Sequence, residues 1–306
     1  MSKELTMAEP FRTAVALGSF DGLHKGHKAV IACALSCKER GLVPTVLLFD
    51  THPLLTISGI APDSLLQQSV RDQMLYEMGV KTKFIAFPEI RNYSPEEFFE
   101  NIIVNKLNAG AVCCGTNYRF GINGSGSCET LEKLCNERGI EFYVTPLIDY
   151  NGSPVSSSRI RDCITGGNIA EANRMLGYEF TYRATVRSGF RRGRLIGAPT
   201  INQYFDKGFI IPKTGVYASV TVIEGKEYPS VTNIGLRPTF ENEDLRSETC
   251  IIGFDGNLYG QEIQVKLIDH IRGEMRFNSA EELGNRINAD AVISEAKFKE
   301  RNERHV

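Results

Sequence analysis

The strongest constraint on this chain is a change of hydrophobic period near residue 180. Ahead of it, short apolar runs alternate with amphipathic stretches. Thr13–Leu17, Val43–Phe49, Phe84–Phe87, Ala111–Cys114 and Glu141–Thr145 read as strands, with helices over His27–Arg40, Gln68–Met78, Ser94–Leu107 and Glu129–Glu137. The third helix carries its own start signal: Ser94 caps it, Pro95 suits the first turn, and Glu97 completes a capping box. Such alternation predicts an α/β fold, a doubly wound, mostly parallel sheet covered on both faces. Ligands of such sheets sit at the carboxyl ends of the strands.

Beyond residue 180 the grammar is different. Val216, Ala218, Val220 and Val222 alternate with Tyr217, Ser219 and Thr221, the period of a half-buried antiparallel strand. Thr181–Val186, Ser230–Ile234, Thr249–Ile252 and Ile263–Ile268 are further strands, separated by Gly, Pro, Asn and Asp. Their spacing predicts a small antiparallel β-barrel. A C-terminal helix opens at Ser279, with Glu282 again placed for a capping box. A chain of 306 residues holds two domains, each large enough to bury a core. The shift of period at Gly177–Thr181 puts them at 1–177 and 178–306.

Composition narrows the function. The chain has 35 Lys and Arg against 37 Asp and Glu, so it lacks the basic excess with which nucleic-acid binders neutralise phosphates. No apolar run approaches the roughly 20 residues that span a bilayer, and Met1–Pro10 lacks the apolar stretch of a secretion signal. The eight cysteines are scattered without a CxxC pair, which reads as reduced thiols in a cytoplasmic protein rather than zinc ligands or disulfides. The expected partners are therefore small molecules, with no nucleic acid and no membrane. Oligomeric state is not written in the sequence.

Three segments of the first half carry phosphate chemistry. Gly18-Ser19-Phe20-Asp21-Gly22-Leu23-His24-Lys25-Gly26-His27 joins the first strand to the first helix. Gly18 and Gly22 allow a sharp turn, and the helix start offers free N–H groups and a positive dipole end to an anion. His24 and His27 then stand where they donate hydrogen bonds to phosphate oxygens as charge builds on a leaving group. Gly115-Thr116-Asn117-Tyr118-Arg119-Phe120-Gly121 follows the fourth strand and puts Asn117 and Arg119 in a ligand-facing loop. Ser156, Ser157 and Ser158 enter a helix after Pro154, where hydroxyls and N–H groups form a phosphate cradle that Arg159 or Arg161 neutralises. Taken singly, each has a plain structural explanation: a tight turn, a surface loop, a serine-capped helix.

Together and in this order, with Phe49-Asp50-Thr51-His52-Pro53 after the second strand, these segments resemble the FMN adenylyltransferase module of bacterial FAD synthetases, within the HxGH nucleotidylyltransferase superfamily. The resemblance covers about residues 10–175. It implies a nucleotidylyltransferase-like sheet in which Gly18, Phe20, Asp21, Gly22, His24, His27, Ser156, Ser157, Ser158 and Arg161 bind ATP. His27 and Arg161 would be catalytic, and Asn117, Arg119 and Phe120 would bind flavin. Asn117 stands where that family commonly has Asp, Tyr118 where it has Phe, and Ser158 where it has Thr.

The second half has its own set. In Gly193-Arg194-Leu195-Ile196-Gly197-Ala198-Pro199-Thr200-Ile201-Asn202, Pro199 fixes the backbone so that the Thr200 hydroxyl and the Asn202 amide oxygen point into one site. Oxygen donors of this type, with phosphates and water, suit Mg²⁺. Arg187, Arg191, Arg192 and Arg194 cluster with glycines just before, either as a nucleotide-facing flap or as a solvated basic loop. With Asn233-Ile234-Gly235-Leu236-Arg237-Pro238-Thr239-Phe240, Glu248-Thr249-Cys250 and Leu258-Tyr259-Gly260, the series resembles the riboflavin kinase domain over about residues 180–300. That resemblance implies Thr200 and Asn202 at the metal, Gly193 and Arg194 at ATP, and Glu248 as general base for the ribityl hydroxyl. The expected chemistry is phosphorylation of riboflavin to FMN and adenylylation of FMN to FAD, with ATP as co-substrate, Mg²⁺ as cofactor, and FMN and FAD as products. Two alternatives stay open: a chain keeping one of the two activities, and a noncatalytic flavin-binding regulator.

Overall fold

The computed structural model describes residues 11–187, 200–238 and 243–303. The chain divides into two compact units, Met1–Pro62 with Arg71–Ser156, and Asp63–Val70 with Ser157–Val306.

In the first unit β1 (Thr13–Leu17) is buried at every position, as a strand covered on both faces must be. The chain continues through α1 (Lys25–Ser36), a tight turn at Cys37–Arg40, β2 (Val43–Phe49), α2 (Pro53–Ser58) and α3 (Gln68–Glu77), then β3 (Lys81–Ile85). After α4 (Phe87–Ile90) and α5 (Pro95–Phe98) come β4 (Ala109–Gly115), α6 (Cys128–Glu137), β5 (Glu141–Thr145) and a two-residue hairpin, β6 (Asp149–Tyr150) and β7 (Ser153–Pro154). The sheet order is β3-β2-β1-β4-β5, and every pairing is parallel.

Several boundaries depart from the periodicity. The first helix starts at Lys25 rather than His27, because the His24 side chain accepts from the His27 N–H and caps it. The third strand ends at Ile85, and Phe87 already opens α4. The capping box at Ser94 is present: Ser94 Oγ accepts from Glu97 N at 3.1 Å, and Ser94 N donates to Glu97 Oε2 at 2.8 Å. From Phe99 to Lys106, however, the helix is wound as a π-helix. Phe98, Phe99, Ile102, Ile103 and Leu107 are buried at that wider spacing.

The second unit opens with α7 (Ser157–Gly166) and α8 (Ile169–Leu176) and continues as β8 (Thr181–Thr185), β9 (Thr200–Tyr204), β10 (Gly215–Ile223), β11 (Lys226–Pro238), β12 (Glu243–Ile251) and β13 (Glu262–Arg272). The order β8-β13-β10-β11-β12-β9 is antiparallel throughout. Where β8 and β9 meet, the gap is bridged by the Gln203 amide, which donates to Ala184 O and Ile263 O, each at 2.7 Å, and the sheet becomes a nearly closed barrel. Asn173 on α8 holds Leu267 O and Phe180 N, fastening that helix to β13.

The C-terminal α9 (Ala280–Glu303) lies over β10, β11 and β13, and among its described residues only Asp290 and Ser294 are buried. Ser279 Oγ accepts from Glu282 N, but the Glu282 carboxylate reaches Asn278 N, one residue beyond a reciprocal box. Anchoring is polar. Asp290 is 1% exposed and held by Arg272 from β13 at 2.7 Å and by Arg286 at 3.1 Å. Removing one partner of a buried ion pair strands the other charges. Asp290→Ala should therefore destabilise the second unit by about 3–5 kcal/mol, read as a lowered denaturation midpoint. A midpoint equal to that of the parent would mean that the helix is held by other contacts.

Candidate functional site

In the first unit the chain runs from β1 outward to β2 and β3, then returns to place β4 on the other side of β1. This is the topological switch point, the place where open α/β sheets bind their ligands. Leu17 is paired with Cys114, so the loop after β1 and the loop after β4 leave the sheet side by side.

The first loop is strained and anchored. Phe20 and Leu23 adopt positive φ of 50° and 39°, which is costly for residues with a Cβ, by about 1–3 kcal/mol each. Both side chains are fully buried, and that packing holds the conformation. Gly18 leaves room for the Phe20 ring, which lies 3.2 Å from where a Cβ would stand. The loop delivers His24, 5% exposed, to the N-cap of α1, stacked on His27 with ring centroids 3.7 Å apart. His24 Nδ1 accepts from His27 N at 3.3 Å, which leaves the proton of a neutral His24 on Nε2. His27 Nδ1 is buried with no hydrogen-bond partner among the described residues. Burial pushes His24 down to about 4, and burial together with the neighbouring His24 pushes His27 well below its usual range. Gly26 permits this stack, since a Cβ there would sit 3.1 Å from the His24 ring.

In the second loop Asn117 and Arg119 are exposed. Phe120 is not. It is 5% exposed, belongs to the apolar core, and lies 5.5 Å from Phe98 and 6.0 Å from the stacked Tyr118 ring. Phe120 and Gly126 exchange backbone hydrogen bonds at 3.2 and 2.9 Å, closing the loop on itself. Gly126 is required there, because a Cβ would meet the Phe120 ring at 2.7 Å. Phe120 thus anchors the loop that presents Asn117 and Arg119.

The serine segment divides between the units: Ser156 belongs to the first, and Ser157 and Ser158 open α7 in the second. Arg161, one turn into α7, donates from Nε to Asp63 O at 2.8 Å, and Arg159 pairs with Glu171 at 3.5 Å.

In the barrel, β12 pairs with β9 so that Glu248 faces Asn202 and Cys250 faces Thr200, and β11 sets Asn233 on the other side of Glu248. With the side-chain period of two, Thr200, Asn202 and Glu248 share one face. Asn202 is 6% exposed and Glu248 is part-exposed. Its carboxylate is gripped by Arg246 from the same face of β12. Arg246 is missed by motif reading; its i,i+2 spacing from the proposed base on a strand is the signal that finds it. Gly193 and Arg194, with Arg191, Arg192, Pro199 and Thr239, lie outside the described residues. A threonine hydroxyl and an asparagine amide are hard, neutral oxygen donors, so they fit Mg²⁺ whose charge is met by nucleotide phosphates.

Comparison with known proteins follows this division. The FAD synthetase family profile matches residues 6–159, and the riboflavin kinase profile matches residues 176–298. A bifunctional riboflavin kinase/FMN adenylyltransferase of Listeria monocytogenes is 34% identical over 93% of this chain and 92% of its own length. Those of Bacillus subtilis and Escherichia coli K12 are each 31% identical, over 94% and 96% of this chain and 92% and 95% of theirs. A solved structure from Streptococcus pneumoniae, described as a macrolide-efflux protein, has a TM-score of 0.87 and 29% identity, covering 94% of this chain and 95% of that one. No helix among the described residues is long and apolar enough to cross a membrane. The chain belongs to the bifunctional riboflavin kinase/FMN adenylyltransferase family: it phosphorylates riboflavin to FMN and adenylylates FMN to FAD, with ATP as co-substrate in both steps.

Proposed function

We propose that adenylylation of FMN is carried by residues 1–177 and phosphorylation of riboflavin by residues 178–306, each with its own ATP site. The observation that carries this reading is the cross-strand row Asn202–Glu248–Asn233, which has no counterpart in the parallel sheet. In the kinase reaction Glu248 accepts the proton of the ribityl hydroxyl as that oxygen attacks the γ-phosphorus of ATP, and ADP leaves. Mg²⁺ held by Thr200 and Asn202 would supply charge neutralisation at the transferred phosphoryl group. Gly193 and Arg194 are proposed to contact ATP.

In the second reaction a phosphate oxygen of FMN attacks the α-phosphorus of ATP, and pyrophosphate leaves. The start of α1, with Gly18, Asp21 and Gly22 ahead of it, is proposed to receive the phosphates, supported by the orphaned His27 Nδ1 and the Nε2–H of His24. Both histidines are neutral at neutral pH, so they act as directed hydrogen-bonding groups rather than as fixed cations. Ser156, Ser157, Ser158 and Arg161 are carried over from the resemblance as further ATP ligands, and Asn117 and Arg119 as flavin contacts. A cytoplasmic setting is supported by eight free cysteines, including Cys114 and Cys128 with sulfurs 3.7 Å apart and unbridged.

Three measurements test these assignments. Glu248→Gln should abolish FMN formation and leave conversion of supplied FMN to FAD intact, whereas His27→Ala should do the reverse, at about 2–4 kcal/mol of transition-state stabilisation. Equal loss of both activities in either folded variant would refute the separation. Chelation by EDTA should stop both reactions and Mg²⁺ alone should restore them; recovery with zinc but not with Mg²⁺ would contradict the oxygen-donor site.

The buried histidines also predict a pH dependence of stability. Above pH 6.5 both folded and unfolded chains hold His24 neutral. As pH falls, the unfolded chain binds a proton first, so stability present above 6.5 is lost progressively down to about 4. For His24 this amounts to about 3 kcal/mol. Urea unfolding of His24→Asn should show a flatter decline between those pH values than the parent, and identical slopes would place the titration elsewhere.

A further inference from the structure

The face of β12 opposite Glu248 carries Ser247 and Thr249, and the corresponding face of β9 carries Gln203, directly paired with Ser247. With Tyr182 of β8 these side chains fill the barrel interior, none more than 1% exposed. Polar groups in such a place are ordinarily satisfied. Here Tyr182 OH, Ser247 Oγ and Gln203 Oε1 have no hydrogen-bond partner among the described residues. Ser247 and Gln203 are direct cross-strand partners, and Gln203 reaches across to Ala184, two residues along β8 from Tyr182. Burial pushes the Tyr182 hydroxyl up to about 12, and Ser247, Thr249 and Thr232 lie close enough to oppose that rise without being aligned to bond it.

Ser219 Oγ donates to Ser230 O at 2.9 Å, so in its 2.8 Å contact with Thr232 it accepts. Thr232 therefore spends its single proton on Ser219, and in its 2.9 Å contact with Thr249 it accepts in turn. Thr249 has then given its proton away and keeps an open acceptor. Both amide hydrogens of Gln203 are committed to Ala184 O and Ile263 O, which leaves Oε1 as acceptor only. The barrel interior thus presents two acceptors, Thr249 Oγ1 and Gln203 Oε1, and two hydroxyl donors, Tyr182 and Ser247. Water is the ligand with two donors and two acceptors, and buried waters typically make about three such bonds.

We infer that one water molecule is bound inside the barrel by Tyr182, Ser247, Gln203 and Thr249, and that it ties β8, β9 and β12 together behind Asn202 and Glu248. The water site stands on these contacts alone; its effect on catalysis rests on the kinase assignment above, which Glu248→Gln tests separately. A high-resolution crystal structure of the full chain should show a single water within about 2.7–3.2 Å of Tyr182 OH, Ser247 Oγ and Gln203 Oε1. A dry site with these atoms bonded to one another would overturn the inference. Ser247→Ala removes the hydroxyl donor and adds no bulk to the fully buried position. In a folded variant, kcat for FMN formation should fall about tenfold or more through misplacement of the strands, with KM for riboflavin unchanged and FAD formed from FMN at the parental rate. Should that variant not fold, Tyr182→Phe deletes one oxygen and keeps the ring, and the same split is expected. Parental FMN formation in whichever folded variant is assayed would show that the site does not position the kinase residues.

Discussion

A strand buried on both faces has nowhere to put polar chemistry except at its ends. That constraint organises the first unit. Beyond Thr13, whose hydroxyl is spent on Leu107 O, β1 and β4 carry no polar side chain other than thiols, so reactive groups are expected where the chain leaves the sheet, and the return crossing puts those two exits beside each other. The strain at Phe20 and Leu23 follows from the same geometry. The loop must turn at once from a sealed strand into a helix start, and two fully buried side chains hold it in a conformation that residues with a Cβ avoid.

The barrel solves the opposite problem. Its antiparallel strands have two chemically distinct faces, so a site can be laid along a strand rather than at its end. One residue step separates Asn202 from Gln203 and Glu248 from Ser247, yet it moves a side chain from the face of the proposed kinase site to the interior. Any slip of β12 against β9 would exchange the two sets. The interior hydroxyl chain and the Gln203 bridge across the β8–β9 gap hold that register. The same preference for polar fastening recurs at α9, where Asp290 and Ser294 are the buried contacts.

Much of this was legible in the residues. Alternation of period separated sheet from barrel, Ser94 and Glu97 marked a helix start, and the order of the glycine-, histidine- and serine-bearing segments pointed to the family. What escaped has physical causes. His24 lengthens α1 through a side-chain cap that helical periodicity does not register. The π-winding of Phe99–Lys106 follows tertiary burial rather than local propensity. Phe120 sits in a motif that suggests ligand contact, but its ring is core, and only packing against Phe98 and Gly126 reveals that. The long helix α9 offers no fully buried apolar stripe to read, because its buried positions among the described residues, Asp290 and Ser294, are polar.

One chain runs two phosphate-transfer reactions in succession, and in the proposed division it does so at separate sites, using a different phosphorus atom of ATP in each. The direct test is a product balance. Pure chain is incubated with riboflavin, ATP and Mg²⁺, and flavins, nucleotides and pyrophosphate are separated over time. Riboflavin should give FMN and then FAD, with ADP appearing alongside FMN and pyrophosphate alongside FAD, so that each FAD made from riboflavin leaves one of each. FAD arising without ADP, or FMN accumulating with no pyrophosphate released, would contradict the account.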